Sequence, residues 1–390
     1  MLAERRHIIT AMGLSNALGD SLDAVWTALL EGRPHTSPPP FALPFDTVCG
    51  AVQEPLDALP ATDRAYDSRL ARIVLRALPQ VSAAVARARQ RWGEGRVAIL
   101  VGTSTGGLDA TELAHRHFRQ TSSYMPGFSL RTSHAFDALN VWLARVLQLS
   151  GPSYAVSTAC TSSAKAIASA MRLIDANLCD AALVVGADAL CETTVRGFHA
   201  LGVLSKQAAR PFSSERDGIH IGEGAALLLL ERSGEGPAHI LSVGETSDAH
   251  SMSAPHPEGT GAAEAISTAL ARARLVPEQV DYVNAHGTGT PQNDQAESRA
   301  IASVLGGGVP VSSTKGLTGH TLGACGATEA IFCALAIQHG QLPPSAGASP
   351  ADPELGVHVV RTPTRRHVRV ALSNAFAFGG SNTGIILAAP

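Results

Sequence analysis

Charge is scarce in this chain of 390 residues: Asp, Glu, Lys and Arg together make up 16% of it, against 45% apolar residues. That balance excludes a disordered chain and suits a large buried core with a generous subunit interface. The formal net charge of −3 removes the electrostatic case for nucleic acid or an anionic membrane as partner. Long hydrophobic runs are missing too. The longest, such as Ala225–Leu230 and Val97–Val101, fit buried strands and not membrane spans of about 20 residues. The opening Met1-Leu-Ala-Glu-Arg-Arg-His-Ile-Ile9 shows no apolar core and no small-residue cleavage site. A secretory leader is therefore not expected, and a cytoplasmic location is. The six cysteines, Cys49, Cys160, Cys179, Cys191, Cys325 and Cys333, form no CxxC pair and no Cys/His metal spacing. They read as reduced thiols, five of them plain small hydrophobes.

What is present is alternation. Short β-type runs alternate with Ala-rich helical stretches, the pattern of an α/β protein. The length exceeds the roughly 250–300 residues at which one hydrophobic core stops growing, so two cores are expected. Strands are predicted at Arg6–Thr10, Val97–Gly102, Ser153–Ser157, Ala181–Gly186, Ala225–Glu231, His239–Val243, Tyr282–Asn284, Val309–Ser312, His367–Ser373 and Gly384–Leu387. Helices are predicted at Leu22–Glu31, Asp67–Leu78, Ser162–Ala176, Gly261–Ala273, Asp294–Val304 and Ala324–His339. Pro34–Leu59 is rich in proline and reads as an irregular surface segment. Gly234-Glu-Gly-Pro237 marks a join between residues 1–234 and 235–390. A faint repeat supports it: Val156-Ser-Thr-Ala-Cys160 and Val311-Ser-Ser-Thr-Lys315 each lead into an unusually small-residue helix. Small residues let backbones approach closely, which puts both helices near the centre.

Four stretches carry chemistry. Thr158-Ala-Cys160-Thr-Ser-Ser163 places one cysteine at a strand-to-helix turn, where unsatisfied N–H groups and the helix dipole favour a thiolate. A depressed Cys160 pKa is the expectation, although most single cysteines are inert core residues. Asn284-Ala-His286-Gly-Thr288-Gly-Thr290 is a Gly/Thr-rich loop whose hydroxyls suit a polar, phosphate-bearing arm, or a simple turn. It is not a Walker loop, since GxxxxGK[ST] is absent. Lys315-Gly-Leu-Thr-Gly-His320 sets a lysine and a histidine among small residues, with Glu329 on the following helix able to neutralise Lys315. Ser373-Asn374-Ala-Phe376-Ala-Phe378-Gly379-Gly380 is a strand breaking at a Gly-Gly turn that bears a large aromatic.

Together, Cys160, His286, Lys315 with His320, and Phe378-Gly-Gly resemble, in order and spacing, the signature blocks of the β-ketoacyl-(acyl carrier protein) synthases of types I and II. Ile8-Ile-Thr-Ala-Met-Gly13, Pro211-Phe-Ser-Ser-Glu-Arg-Asp-Gly218 and Gly222-Glu-Gly224 extend the likeness over nearly the whole chain. The resemblance implies a thiolase-like α/β fold, two pseudo-symmetric βαβαβ halves in stacked layers, working as a homodimer or with a homologous partner. It implies that Cys160 takes an acyl chain from the phosphopantetheine thiol of an acyl carrier protein. His286 and His320 then stabilise the enolate formed as malonyl thioester loses carbon dioxide. Lys315, paired with Glu329, orients His320. The backbone N–H groups of Cys160 and Phe378 form the oxyanion hole, and the Phe378 ring swings as a gate on Gly379 and Gly380. Thr288 and Thr290 match the threonines that hold the pantetheine arm. No cofactor is required, though some relatives hold a structural monovalent cation at positions matching Asn284, Glu329 and Asn374. An acidic carrier protein calls for cations at the rim, and the expected docking residues are Arg64, ahead of the helix Asp67–Leu78, with Arg69, Arg72 and Arg76 along one face of it.

Two departures bear on the pathway. The segment Ser205-Lys-Gln-Ala-Ala-Arg210 is shorter than in housekeeping members of the family. Thr105 stands where a pocket-blocking isoleucine often does, which points to a wider acyl tunnel suited to a polyketide or polyene. A thiolase proper is excluded because the late block reads Phe378-Gly-Gly-Ser381 and lacks a second catalytic cysteine. A type III synthase would use Cys–His–Asn. A catalytically silent chain-length-factor subunit would lack the nucleophile, and Cys160 argues against it.

Overall fold

A computed structural model of the protein describes residues 7–390. The expectations resting on Met1–Arg6, the absent leader and the first residue of a strand, lie outside them. Eleven strands form one continuous sheet. Five belong to the first part of the chain: His7–Asn16 (β1), Val97–Gly102 (β2), Ser153–Val156 (β3), Ala181–Asp188 (β4) and Gly224–Glu231 (β5), in the order β3-β2-β4-β5-β1. The second part adds Ala238–Ser247 (β6), Tyr282–Asn284 (β7), Pro310–Ser312 (β8), Val370–Ala377 (β9) and Ser381–Ala388 (β10), in the order β8-β7-β9-β10-β6.

The two orders are one pattern used twice. In each set three strands run parallel, and two antiparallel strands complete the set. The sets meet where β1 and β6 pair through His7↔Ile240, Ile8↔His239 and Ile9↔Ala238. An extra edge strand, His358–Val359, lies beside β8. Every residue of β2 and β5 is buried, which explains why these strands read as unbroken apolar runs and not as alternations.

Two helices form the central layer, Ser162–Asp175 (α1) after β3 and Cys325–His339 (α2) after β8. Each touches the other and strands of both sets. Small residues make this possible. A Cβ on Gly326 would come within 2.7 Å of the Ala164 nitrogen, and one on Gly186 within 2.8 Å of the Ser163 Cβ. Helix α2 is buried from Cys325 through Ile337. The stretch Leu322–His339 is long and apolar enough to cross a membrane, but 89% of it is buried inside the fold, as befits a core helix. Phe332, fully buried there, is worth roughly 3–5 kcal/mol against truncation to Ala.

The predicted elements are present with ends shifted by a few residues. The exceptions lie in the first part of the chain, where helices Pro79–Trp92, Leu108–Thr121, Ala138–Leu147 and Glu192–Ala200 were not anticipated. Leu108–Thr121 lacks an apolar stripe, because it buries Asp109, Ala110 and Ala114 while Leu113 and Phe118 stay exposed. The expected helix Asp67–Leu78 is Arg69–Ala77, started by Ser68, whose hydroxyl accepts from the Ala71 N–H.

Candidate active site

The parallel strands of both sets deliver their carboxyl ends to one place, as open α/β sheets do. Cys160 follows β3, His286 follows β7, Lys315 and His320 follow β8, and Phe378 caps the β9–β10 turn. Cys160, His286, His320, Thr288, Thr290 and Phe378 line one cavity of about 180 Å³, with Phe198, Ile219 and Phe376 supplying apolar wall.

Cys160 is buried two residues ahead of α1, after Ala159, whose φ of 50° is strained for a residue with a side chain. Its Sγ lies 3.0 Å from His320 Nε2, and its carbonyl accepts from the Cys325 thiol at 3.2 Å. Burial pushes the Cys160 thiol up to about 12, against the pull of Lys315 and with Asp188 adding to the push. This corrects the depressed pKa expected from the helix terminus: an enclosed thiolate loses more hydration than the turn restores.

His286 is held by its backbone. Its N–H donates to Glu297 Oε1 at 2.7 Å, the Gly287 N–H to Glu297 Oε2 at 2.7 Å, and its carbonyl accepts from Lys315 Nζ at 2.6 Å. His320 is fixed the same way, its N–H donating to the His220 carbonyl at 2.8 Å and its carbonyl accepting from Gly222 N–H at 2.9 Å. The two rings meet edge to face with centroids 5.2 Å apart. Burial first, then Lys315, keeps both imidazoles far below their ordinary pKa, with His320 adding to the effect on His286 and His220 to that on His320. Both are neutral at physiological pH. Lys315 is buried and ion-paired with Glu329. Burial works against its charge, but the Glu329 carboxylate holds the ammonium above the ordinary range.

The remaining predicted residues divide. The Thr288 and Thr290 hydroxyls bond each other at 2.9 Å, and Thr290 also caps the helix Pro291–Leu305. The Phe378 ring sits 5.6 Å from Phe198 at the cavity mouth. Gly379 and Gly380 have φ of 85° and 76°, which a side chain would resist, and the Gly379 N–H donates to the Met252 carbonyl at 2.8 Å. Thr105 does not line the cavity with Cys160, and its hydroxyl donates to Asp188 Oδ1 at 2.6 Å.

The docking expectation for the arginines also needs correction. Arg69 grips the buried Glu223 through two nitrogens and reaches Glu54, Arg72 pairs with Asp67, and Arg76 donates to the carbonyls of Gln53 and Pro55. Three of the four cations are spent on the fold, because each faces a carboxylate or carbonyl from Gln53–Asp67 or Glu223. Arg64 is exposed.

For a monovalent cation the donor set fits. Asn374 Oδ1 and Glu329 Oε2 are buried without a protein partner, and Asn284, also buried, stands in register with Ser373. Carbonyl and carboxylate oxygens suit a hard cation. Sequence reasoning missed Glu297, whose signal was the polar run Asn293-Asp294-Gln-Ala-Glu297 opening a helix beside the His286 loop. It also missed Asp188, a lone acid after an apolar strand.

A doubled five-strand pattern around two buried helices, with a cysteine on one set and two histidines on the other, defines a thiolase-like condensing enzyme. Family models described as "Beta-ketoacyl synthase, N-terminal domain" and "Beta-ketoacyl synthase, C-terminal domain" match residues 5–235 and 237–349, and the chain belongs to the β-ketoacyl synthase family. It is 36% identical to Nodulation protein E of Rhizobium meliloti strain 1021 over 97% of this chain and 98% of that protein. It is 33% identical to 3-oxoacyl-[acyl-carrier-protein] synthase 2 of a Synechocystis species over 98% of this chain and 97% of that protein. Among solved structures it superposes with a TM-score of 0.92 and 39% identity on a chain from a ketosynthase in complex with its chain length factor from Xenorhabdus doucetiae, covering 100% of this chain and 99% of that one.

Proposed function

We propose that the protein joins a Cys160-bound acyl chain to the two-carbon unit of a malonyl-acyl carrier protein, giving 3-oxoacyl-acyl carrier protein and carbon dioxide. The observation that carries this is Cys160 Sγ 3.0 Å from His320 Nε2, with His286 on the same cavity wall. The Cys160 sulfur attacks the acyl thioester carbonyl; the bond to the pantetheine sulfur breaks, and the thiol proton passes by way of His320 to the departing thiolate. The oxyanion of that step lies against the N–H groups of Cys160 and Phe378. Malonyl thioester then loses carbon dioxide, and its C–C electron pair moves onto an enolate oxygen held by N–H groups of His286 and His320. Neutral imidazoles serve here because they donate hydrogen bonds without delivering a proton. The enolate carbon attacks the Cys160 thioester, the new C–C bond forms, and the cysteine leaves and is reprotonated.

Lys315, its charge balanced by Glu329, holds the His286 carbonyl and so positions His286, not His320 as the resemblance implied. Thr288 and Thr290 guide the pantetheine arm, and Phe378 gates it on Gly379 and Gly380. Asn284, Glu329 and Asn374 would hold a structural monovalent cation; the chemistry itself needs no cofactor beyond the arm carried by the substrate protein. Residues 1–234 supply the nucleophile and 235–390 the enolate site. The working unit is a homodimer in the cytoplasm. Exposed Tyr154 on β3, Val141 and Val146 on Ala138–Leu147, and Phe136 support a subunit interface on that face. A chain-length-factor partner replaces the second copy in the competing arrangement, which the mass of the purified complex distinguishes. Extension assays with acyl- and malonyl-carrier proteins, read by product length, test the reading: no 3-oxo product would refute it.

A further inference from the structure

Asp188 ends β4 with no exposed surface, and its carboxylate collects donors from two loops. From the loop after β2 come the hydroxyls of Thr103 at 2.7 Å, Ser104 at 2.9 Å and Thr105 at 2.6 Å, with the N–H groups of Ser104 at 3.1 Å and Thr105 at 2.9 Å. From the turn just past His320 comes the Gly323 N–H at 2.6 Å. That same N–H also reaches Ser104 Oγ at 3.2 Å. Burial raises the Asp188 pKa, six groups that point donors at it favour its carboxylate against that push, and no cation pairs with it among the described residues.

The turn it holds is demanding. Leu322 has φ of 53°, and a Cβ on Gly323 would meet Ser104 N at 2.6 Å and Asp188 Oδ2 at 2.7 Å. Upstream, His320 is fixed through its own backbone to His220 and Gly222; downstream, the carboxylate of Asp188 is the anchor. We propose that Asp188 is a positioning residue for the condensation, its carboxylate locking the His320 turn against the Thr103–Thr105 loop so that the imidazole stays on Cys160. This rests on the condensation reading and adds to it the residue that sets the spacing between nucleophile and histidine. The charge acts as well as the geometry. The groups whose fields or bonds reach Cys160 are Lys315, which favours the thiolate, Asp188 and Glu329, which oppose it, the neutral His286 and His320, and the Cys325 thiol. Asp188 therefore helps keep the resting nucleophile as a protected thiol.

The test compares Asp188→Asn, Asp188→Glu and Ser104→Ala with the wild-type enzyme. Asn preserves size but removes the charge and turns an N–H against N–H donors. In Asp188→Asn, condensation kcat is expected to fall about 10–100-fold, the scale of a small misplacement, while KM for carrier-bound substrate stays within about twofold on the same ground. The pH profile of Cys160 alkylation by iodoacetamide should move to lower pH, since loss of a nearby negative charge favours the thiolate. Asp188→Glu, which keeps the charge, should return that profile to the wild-type position. Ser104→Ala should lower kcat without moving the profile, and it decides the matter if Asp188→Asn does not fold: an unchanged kcat there overturns the proposal. So does an Asp188→Asn enzyme with wild-type kcat, or one whose alkylation profile stays put or rises. Alkylation needs no carrier protein, so a wild-type chain that fails to condense defeats the condensation reading and leaves the Asp188 result standing on its own.

Discussion

The two strand sets share one topology and divide the chemistry unequally. In the first set β3 passes to α1 through a short turn that carries Cys160. In the second, β8 passes to α2 through a longer one that carries Lys315 and His320. Helix α1 keeps Arg172 in solvent, whereas α2 is buried on every side through Ile337. A repeated scaffold thus brings a reactive thiol and its electrostatic environment together from opposite directions. The thiol sits where one half ends its parallel strands, and the fixed positive charge, Lys315, is held inside the other. A thiol pushed up to about 12 by burial is not ionised in advance, so under the proposed reading its neighbours must activate it as substrate arrives.

Deleting one side of the comparison gives the largest effect. Cys160→Ala should abolish condensation while the fold survives, since Ala fits the same volume; thermal melting and product assay report the two separately. Removing either histidine comes next. His286→Ala or His320→Ala should slow malonyl decarboxylation by roughly 10²–10³, the usual scale for one oxyanion donor. Acyl loading should suffer more from His320→Ala, because only the His320 ring bonds the thiol. Equal loading by the two variants would erase the asymmetry between them.

The scaffold itself is probed by Arg69→Ala. It leaves the fully buried Glu223 without its guanidinium, and breaking a mostly buried pair costs about 3–5 kcal/mol. Activity per folded molecule should then be alike for carrier-bound and free pantetheine thioesters. A rise in KM confined to carrier-bound substrate would restore the docking role. The smallest effect is that of a single thiol on alkaline stability. Burial raises Cys49 to about 12 and Cys179 to about 11, so the unfolded chain releases these protons first. Stability is full below the unfolded thiol pKa of about 8.5 and falls above it, by up to roughly 1.4 kcal/mol per pH unit per thiol. Unfolding in denaturant from pH 8 to 10.5 measures this, and Cys49→Ala should flatten the decline.

Much of this arrangement was legible in residue order. Cys160, His286, Lys315, His320 and Phe378 stand at strand ends that the apolar runs announced, and the small-residue helices did mark the centre. What escaped depends on contacts across the chain. Asp188 is one acid at the end of a strand until Thr103–Thr105 and Gly323 close on it, about 85 and 135 positions away. The arginines of the helix Arg69–Ala77 looked solvated because helical spacing shows a face without showing what covers it, and Glu223 lies 154 positions from Arg69. Helix Leu108–Thr121 stayed hidden because its exposed Leu113 and Phe118 blur the periodicity.

The central claim is that Cys160 carries the chain during condensation. Intact-mass and peptide mass spectrometry after incubation with an acyl-carrier substrate tests it most directly. The account predicts an acyl adduct on the peptide containing Cys160 and on no other cysteine, discharged as 3-oxoacyl product when malonyl-carrier protein is added. An unmodified Cys160, or an adduct that malonyl-carrier protein cannot discharge, would contradict it.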